Sequence, residues 1–162
     1  MTKFLAFDVE AADPNSENAG DIKFTAVLFI MQQGEGKGFQ PKKLDELLLF
    51  IKPKEEPKEE FGLIDLMSSF EFDDKFVDFY NDSDIILVDK DITTAFSVCL
   101  LSHLIINVRK MAKCLIKDFE MEQGENGCET IMNTISLFWE KQEFMYFLYP
   151  PEFKINKLHS KR

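Results

Sequence analysis

The sequence predicts an α/β domain with a mixed sheet of about five strands flanked by helices. Two patterns lead to it: three apolar, β-rich runs follow one another early in the chain, and helix-spaced segments then alternate with short apolar runs. Length and composition set the scale. A chain of 162 residues with 45% hydrophobic content suits one globular domain, and seventeen Phe against one Trp and three Tyr imply a core built from Phe packed with Leu and Ile.

Lys3 to Val9, KFLAFDV, is an apolar run with Asp near its end, as expected of a strand buried on both faces. Polar and turn-forming residues from Asp13 to Gly20 take the chain off the sheet. Phe24 to Met31 is the second strand, and Gly34, Gly36 and Gly38 read as a hairpin connection; no convincing helix follows them, so they are no phosphate loop. Leu47 to Ile51 is the third strand and stops at Pro53. The charge run Lys52 to Glu60 reads as a surface loop, because apolar sequence resumes beyond it. Phe72, Phe76, Val77, Phe79 and Tyr80 then fall at helical spacing, with a turn at Asn81 to Asp84 and a short buried strand, parallel to the first, at Ile85 to Val88.

Thr93 to Leu101 is read as helical, Leu104 to Asn107 as a strand and Arg109 to Lys117 as a helix. Cys128 to Phe147 has the spacing of a long amphipathic helix, with Ile131, Ile135, Phe138 and Trp139 on one side. Residues 1–149 make the domain, and residues 150–162 form a basic tail with Lys154, Lys157, Lys161 and Arg162.

Cys99, Cys114 and Cys128 are an odd set without a C-x-x-C pair or His at zinc spacing, so reduced, mostly buried thiols are expected. No apolar run approaches a membrane span and none resembles a signal segment, which gives a cytoplasmic expectation with no membrane partner. The formal charge of −10 sets an unfavourable mean field for a polyanion. A nuclease can nonetheless hold phosphate through cations on its own carboxylates.

The run Phe4 to Ala12, FLAFDVEAA, resembles the first motif of the DnaQ-like 3′-to-5′ exonucleases, a buried strand ending in Asp-x-Glu. The family usually has Thr next, where this chain has Ala11. Strand alternation puts Asp8 and Glu10 on one face, able to converge on a cation. Further resemblance lies in the order of elements: LLFIKP from Leu48, FVDFYNDSDIILV from Phe76, IINVRKMAK from Ile105 and ETIMNTISLFW from Glu129 are similar to successive family segments, roughly from Lys3 to Lys141. The resemblance implies an RNase H-like fold, a metal site of Asp8, Glu10 and Glu129 that serves catalysis with Mg²⁺ or Mn²⁺, and a single-stranded DNA or RNA 3′ end as substrate.

Two further positions depart from the family pattern. Ala95 stands where the second motif has a metal-binding Asp, and Gly124 stands where the third motif has its His. Asp89 and Asp91 lie early in the second motif, where a turn or helix cap is the better reading. His103 and His159 lack the motif's context. For Glu129, a helix N-terminal acid stabilised by the dipole competes with a ligand role. Three functions therefore stand open: an impaired exonuclease-family domain, an active metal-dependent exonuclease with an atypical site, and a non-enzymatic scaffold or interaction module with a protein partner or a second copy.

Overall fold

A computed structural model describes residues 1–36, 38–52, 74–89, 104–139 and 141. In chain order the elements are β1 (Lys3–Ala11), β2 (Ile22–Gln33), β3 (Phe39–Ile51), α1 (Asp74–Asp82), β4 (Ile85–Val88), β5 (Leu104–Asn107), α2 (Val108–Leu115) and α3 (Gly127–Phe138). The five strands form one sheet in the order β3-β2-β1-β4-β5. β1, β2 and β3 are antiparallel neighbours, while β4 runs parallel to β1 and β5 parallel to β4. The expected mixed sheet, the meander and the parallel fourth strand are all present.

Alternation along β1 divides the core in two. Phe4 and Ala6 point to the layer that contains Val108, Met111, Ile131, Ile135 and Phe138 of α2 and α3. Leu5, Phe7 and Val9 point to the opposite layer, with Phe76 and Phe79 of α1. Because β1 is covered on both faces, its sequence reads as a continuous apolar run. Phe rings knit each layer: Phe4 stacks on Phe29 at 5.3 Å, and Phe76 meets the edges of Phe7 and Phe24 at 6.1 and 5.3 Å.

Several boundaries differ from the sequence expectation. β3 begins at Phe39, well before Leu47, because its ladder with β2 continues through Lys42, Lys43, Asp45 and Glu46. Those charges fit an outer strand, whose side chains are largely exposed, so hydrophobic patterning could not mark them. α1 runs through Asp82, so Asn81 and Asp82 are helical, and the turn is confined to Ser83 and Asp84. There the Ser83 hydroxyl donates to the Tyr80 carbonyl at 2.9 Å, and the Asp84 N–H donates to the Lys3 carbonyl at 2.8 Å. Cys114 is exposed, contrary to the expectation of mostly buried thiols, whereas Cys128 is buried. α3 begins at Gly127 and is helical to Phe138; residues 142–147 of the expected longer helix lie outside the described residues. So do most of the Lys52 to Glu60 loop, Phe72, the Thr93 to Leu101 segment, Cys99, and the tail from Pro150.

The strand-to-helix transition expected near Arg109 occurs at Asn107, where β5 passes directly into α2. The Asn107 side chain accepts from the Lys110 N–H at 3.0 Å, satisfying one of the free donors of the first turn. Among the described residues, no helix is long and apolar enough to cross a membrane.

Phe76 anchors α1 through two ring contacts and is 1% exposed, whereas its neighbour Val77 is 37% exposed. Phe76→Ala is expected to cost about 3–5 kcal/mol of unfolding free energy, and Val77→Ala within about 0.5 kcal/mol of zero. Urea unfolding followed by circular dichroism measures both. Equal costs would mean that α1 is not held through Phe76.

Candidate functional site

Asp8 lies on β1 opposite Thr25 of β2, and Glu10 opposite Lys23. Both carboxylates occupy the face that Phe4 and Ala6 share, toward α3. Asp8 is 4% exposed, the only carboxylate among the described residues that is buried. Glu10 is half-buried, with its carboxylate 3.4 Å from the Lys23 ammonium.

The first turn of α3 is set against Asp8. A Cβ at Gly127 would overlap Cβ, Cγ and Oδ2 of Asp8, so this backbone approaches the carboxylate more closely than any larger residue permits. The next residue, Cys128, lies over β1 and β2, its Sγ 3.3 Å from the Thr25 carbonyl and 3.6 Å from that of Ala6. Burial pushes the Cys128 thiol far above its usual range; the nearby negative charge of Asp8 adds to the effect, and the Asp8 backbone N–H partly offsets it. The positive end of the helix dipole adjoins Asp8, which favours a negative charge there.

Asn126 is the N-cap of α3, its side chain accepting from the Glu129 N–H at 2.9 Å. Glu129 is therefore in the first turn, two residues after the one that touches Asp8. Its carboxylate bends back along the chain, with Oε2 accepting from the Glu125 N–H at 2.9 Å. The sequence alternative, an acid at a helix N-terminus, describes this geometry, and the hydrogen bond fixes the carboxylate on the segment that enters the helix.

Position 124, where the resembled family has a His, is closed. A Cβ on Gly124 would come within 2.8 Å of Cβ and Cγ of Glu129 and 2.9 Å of the Thr130 nitrogen. The Gly124 N–H donates to Thr130 Oγ1 at 2.9 Å, drawing the entering segment onto the helix. An imidazole would need this loop rebuilt.

Asp89 follows β4 directly, at a bend, and Asp91 with the segment either of them was expected to cap lies outside the described residues. Arg109 in the first turn of α2 donates to both carboxylate oxygens, Nε to Oδ1 at 2.8 Å and Nη2 to Oδ2 at 3.1 Å. The two-point bond to Asp89 raises the Arg109 guanidinium above its ordinary value. Sequence reading missed this pair because twenty residues separate its members. A residue that follows a buried strand and an Arg at a helix start were the available signals. Asp91, Ala95, His103 and His159 lie outside the described residues.

The structure thus brings Asp8, Cys128 and the start of α3 together, with Glu10 one step along the same strand face. Among the described residues, no three of His, Cys, Asp and Glu gather into a group able to hold a metal ion. The donor set expected from the family does not fit a metal as it stands: Glu10 faces Lys23, and the Glu129 carboxylate is turned to the Glu125 amide. Comparison with family models, curated proteins and solved structures gives no match.

Two outcomes test this geometry. Gly127→Ala should destabilise the fold by about 1–3 kcal/mol through overpacking, and part of that cost should vanish in an Asp8→Ala background, where the two nearest colliding atoms, Cγ and Oδ2, are gone and only Cβ remains. A double-mutant cycle by urea unfolding measures the coupling, and additive costs would contradict the contact. In the native state, iodoacetamide should label Cys114 at neutral pH, whereas Cys128 should require denaturant. Peptide mass spectrometry reads each site, and rapid native labelling of Cys128 would show an open helix start.

Proposed function

We propose that this chain is a degenerate domain of the DnaQ-like exonuclease type, RNase H-like in fold, which is impaired in or lacks hydrolysis and acts by binding. The observation that carries the reading is the antiparallel β3-β2-β1 meander continued by parallel β4 and β5, with a buried Asp8 on the central strand facing the start of the last described helix. The sequence resemblance suggests the family, and the geometry supports the impaired reading. Glu10, Glu129 and Asp89 each bond to a neighbouring protein group, and the position of the general base is sterically closed.

A divalent ion, Mg²⁺ or Mn²⁺, would have to displace Lys23 from Glu10 before Asp8 and Glu10 could share it. No step of hydrolysis is assigned to these residues: Gly124 stands where the resembled family has its general base, and its surroundings leave no room for an imidazole. The sequence alternatives remain distinguishable: a single-stranded DNA or RNA 3′ end is the substrate of the active enzyme, and a protein is the partner of the scaffold.

Loss of general-base catalysis alone lowers rates by about 10²- to 10⁴-fold. A 5′-labelled single-stranded oligonucleotide, DNA or RNA, is therefore expected to survive incubation in Mg²⁺, with at most a trace of shortening in Mn²⁺. A strong ladder of products in Mg²⁺ that disappears in Asp8→Ala protein would overturn the impaired reading in favour of the active enzyme.

A further inference from the structure

β3 is the outer strand beside β2, and among the described residues its other edge carries no ladder. Four large apolar side chains on this one strand are exposed: Phe39 at 40%, Leu44 at 41%, Leu48 at 52% and Phe50 at 41%. Edge strands are commonly blunted by Lys, Pro and bulges, and β3 has all three. The order of its residues, however, suits pairing with itself.

The register shift places Lys43 opposite Phe29 but Asp45 opposite Leu28, leaving Leu44 as the extra residue. Phe29 belongs to the core layer on the α3 side and Leu28 to the layer on the α1 side. Face parity therefore flips at Leu44. Phe39, Pro41 and Lys43 before it, and Glu46, Leu48 and Phe50 after it, share the α3 face.

Two antiparallel strands related by a two-fold axis perpendicular to the sheet must match residues of the same face. With the axis between Leu44 and Asp45, Lys43 stands opposite the partner's Glu46, Pro41 opposite the partner's Leu48 and Phe39 opposite the partner's Phe50. Each contact occurs twice. Every exposed apolar side chain of that face then meets an apolar one, and the charges at the centre are opposite. Sliding the pair so that Lys43 meets Leu48 instead would set Asp45 against Glu46.

We propose that β3 pairs antiparallel with β3 of a second copy, joining two five-stranded sheets into one through the Lys43–Glu46 and Phe39–Phe50 matches. Within one chain Lys43 already meets its own Glu46 at 2.6 Å, but both are exposed. Such a pair contributes little, so exchanging it for the equivalent pair across the axis is nearly neutral. What the dimer adds is a row of backbone hydrogen bonds and covered apolar surface. This interface is independent of the exonuclease reading.

The test is the mass of the full chain in solution, by sedimentation equilibrium. The wild type should have twice the monomer mass at micromolar concentration. Lys43→Glu alone should leave acids facing acids, and Glu46→Lys alone bases facing bases, so each variant should sediment as a monomer. Mixed in equal amounts they should restore the dimer, because each charge then meets its opposite; circular dichroism of each variant verifies folding. A wild type that stays monomeric, a Lys43→Glu chain as dimeric as the wild type, or a mixture of folded variants that remains monomeric would each overturn the proposal. The wild-type measurement decides even if a variant fails to fold.

Discussion

The close approach of α3 to β1 is the constraint on which the rest of the site depends. Gly127 lets the first turn of the helix press on Asp8, and Cys128 then fills the space above Ala6 and Thr25. The helix continues from that fixed start with Ile131, Ile135 and Phe138 buried against the sheet. Its entry is fixed just as tightly, by the Asn126 cap and by the Gly124 bond to Thr130. A buried carboxylate and a helix start are mutually favourable neighbours, since the dipole offsets part of the cost of keeping the charge from water.

This packing determines what the acidic residues can do. The charge of −10 is compatible with an acidic surface gathered for cations, yet the carboxylates nearest the site have local partners. Glu10 faces Lys23, Glu129 reaches the Glu125 amide, and Asp89 holds Arg109 across the β4 to α2 boundary. The Asp89 bond is the strongest in kind, because a guanidinium fork matches both oxygens of a carboxylate. It ties the end of β4 to the helix that follows β5 and so braces the parallel half of the sheet. Each of these three carboxylates is held by a neighbouring protein group.

The antiparallel half is organised differently. β2 and β3 extend well beyond the length of β4 and β5, and β3 carries its charges in the stretch around the bulge. Charges there are of the kind that discourage unspecific edge pairing, while the reversed order of the residues is what the proposed pairing with a second copy uses. Lys75 of α1 reaches this strand too, donating to the Asp45 carboxylate at 3.1 Å and to the Glu46 carbonyl at 2.9 Å. Asp45 is thereby held on the α1 side, and the α3 side of the strand is left to Lys43, Glu46 and their apolar neighbours.

By itself the sequence determined the order and type of the described elements, because strong periodicities belong to buried faces. β1 was legible as a strand covered on both sides, and the same alternation placed Asp8 and Glu10 together. β4 and β5 were likewise legible from short apolar runs, whereas the cap at Asn107 came only with the structure. Tertiary structure alone decided the length of β3, since pairing with β2, not hydrophobicity, carries the strand through Lys42 to Glu46. It also decided the bond between Asp89 and Arg109 and the exposure of Cys114. Above all it decided the closed positions at Gly124 and Gly127, because a glycine in sequence signals only freedom, whereas the neighbour that forbids a side chain comes from elsewhere in the fold. Periodicity reports which face is buried; only packing reports what stands opposite it.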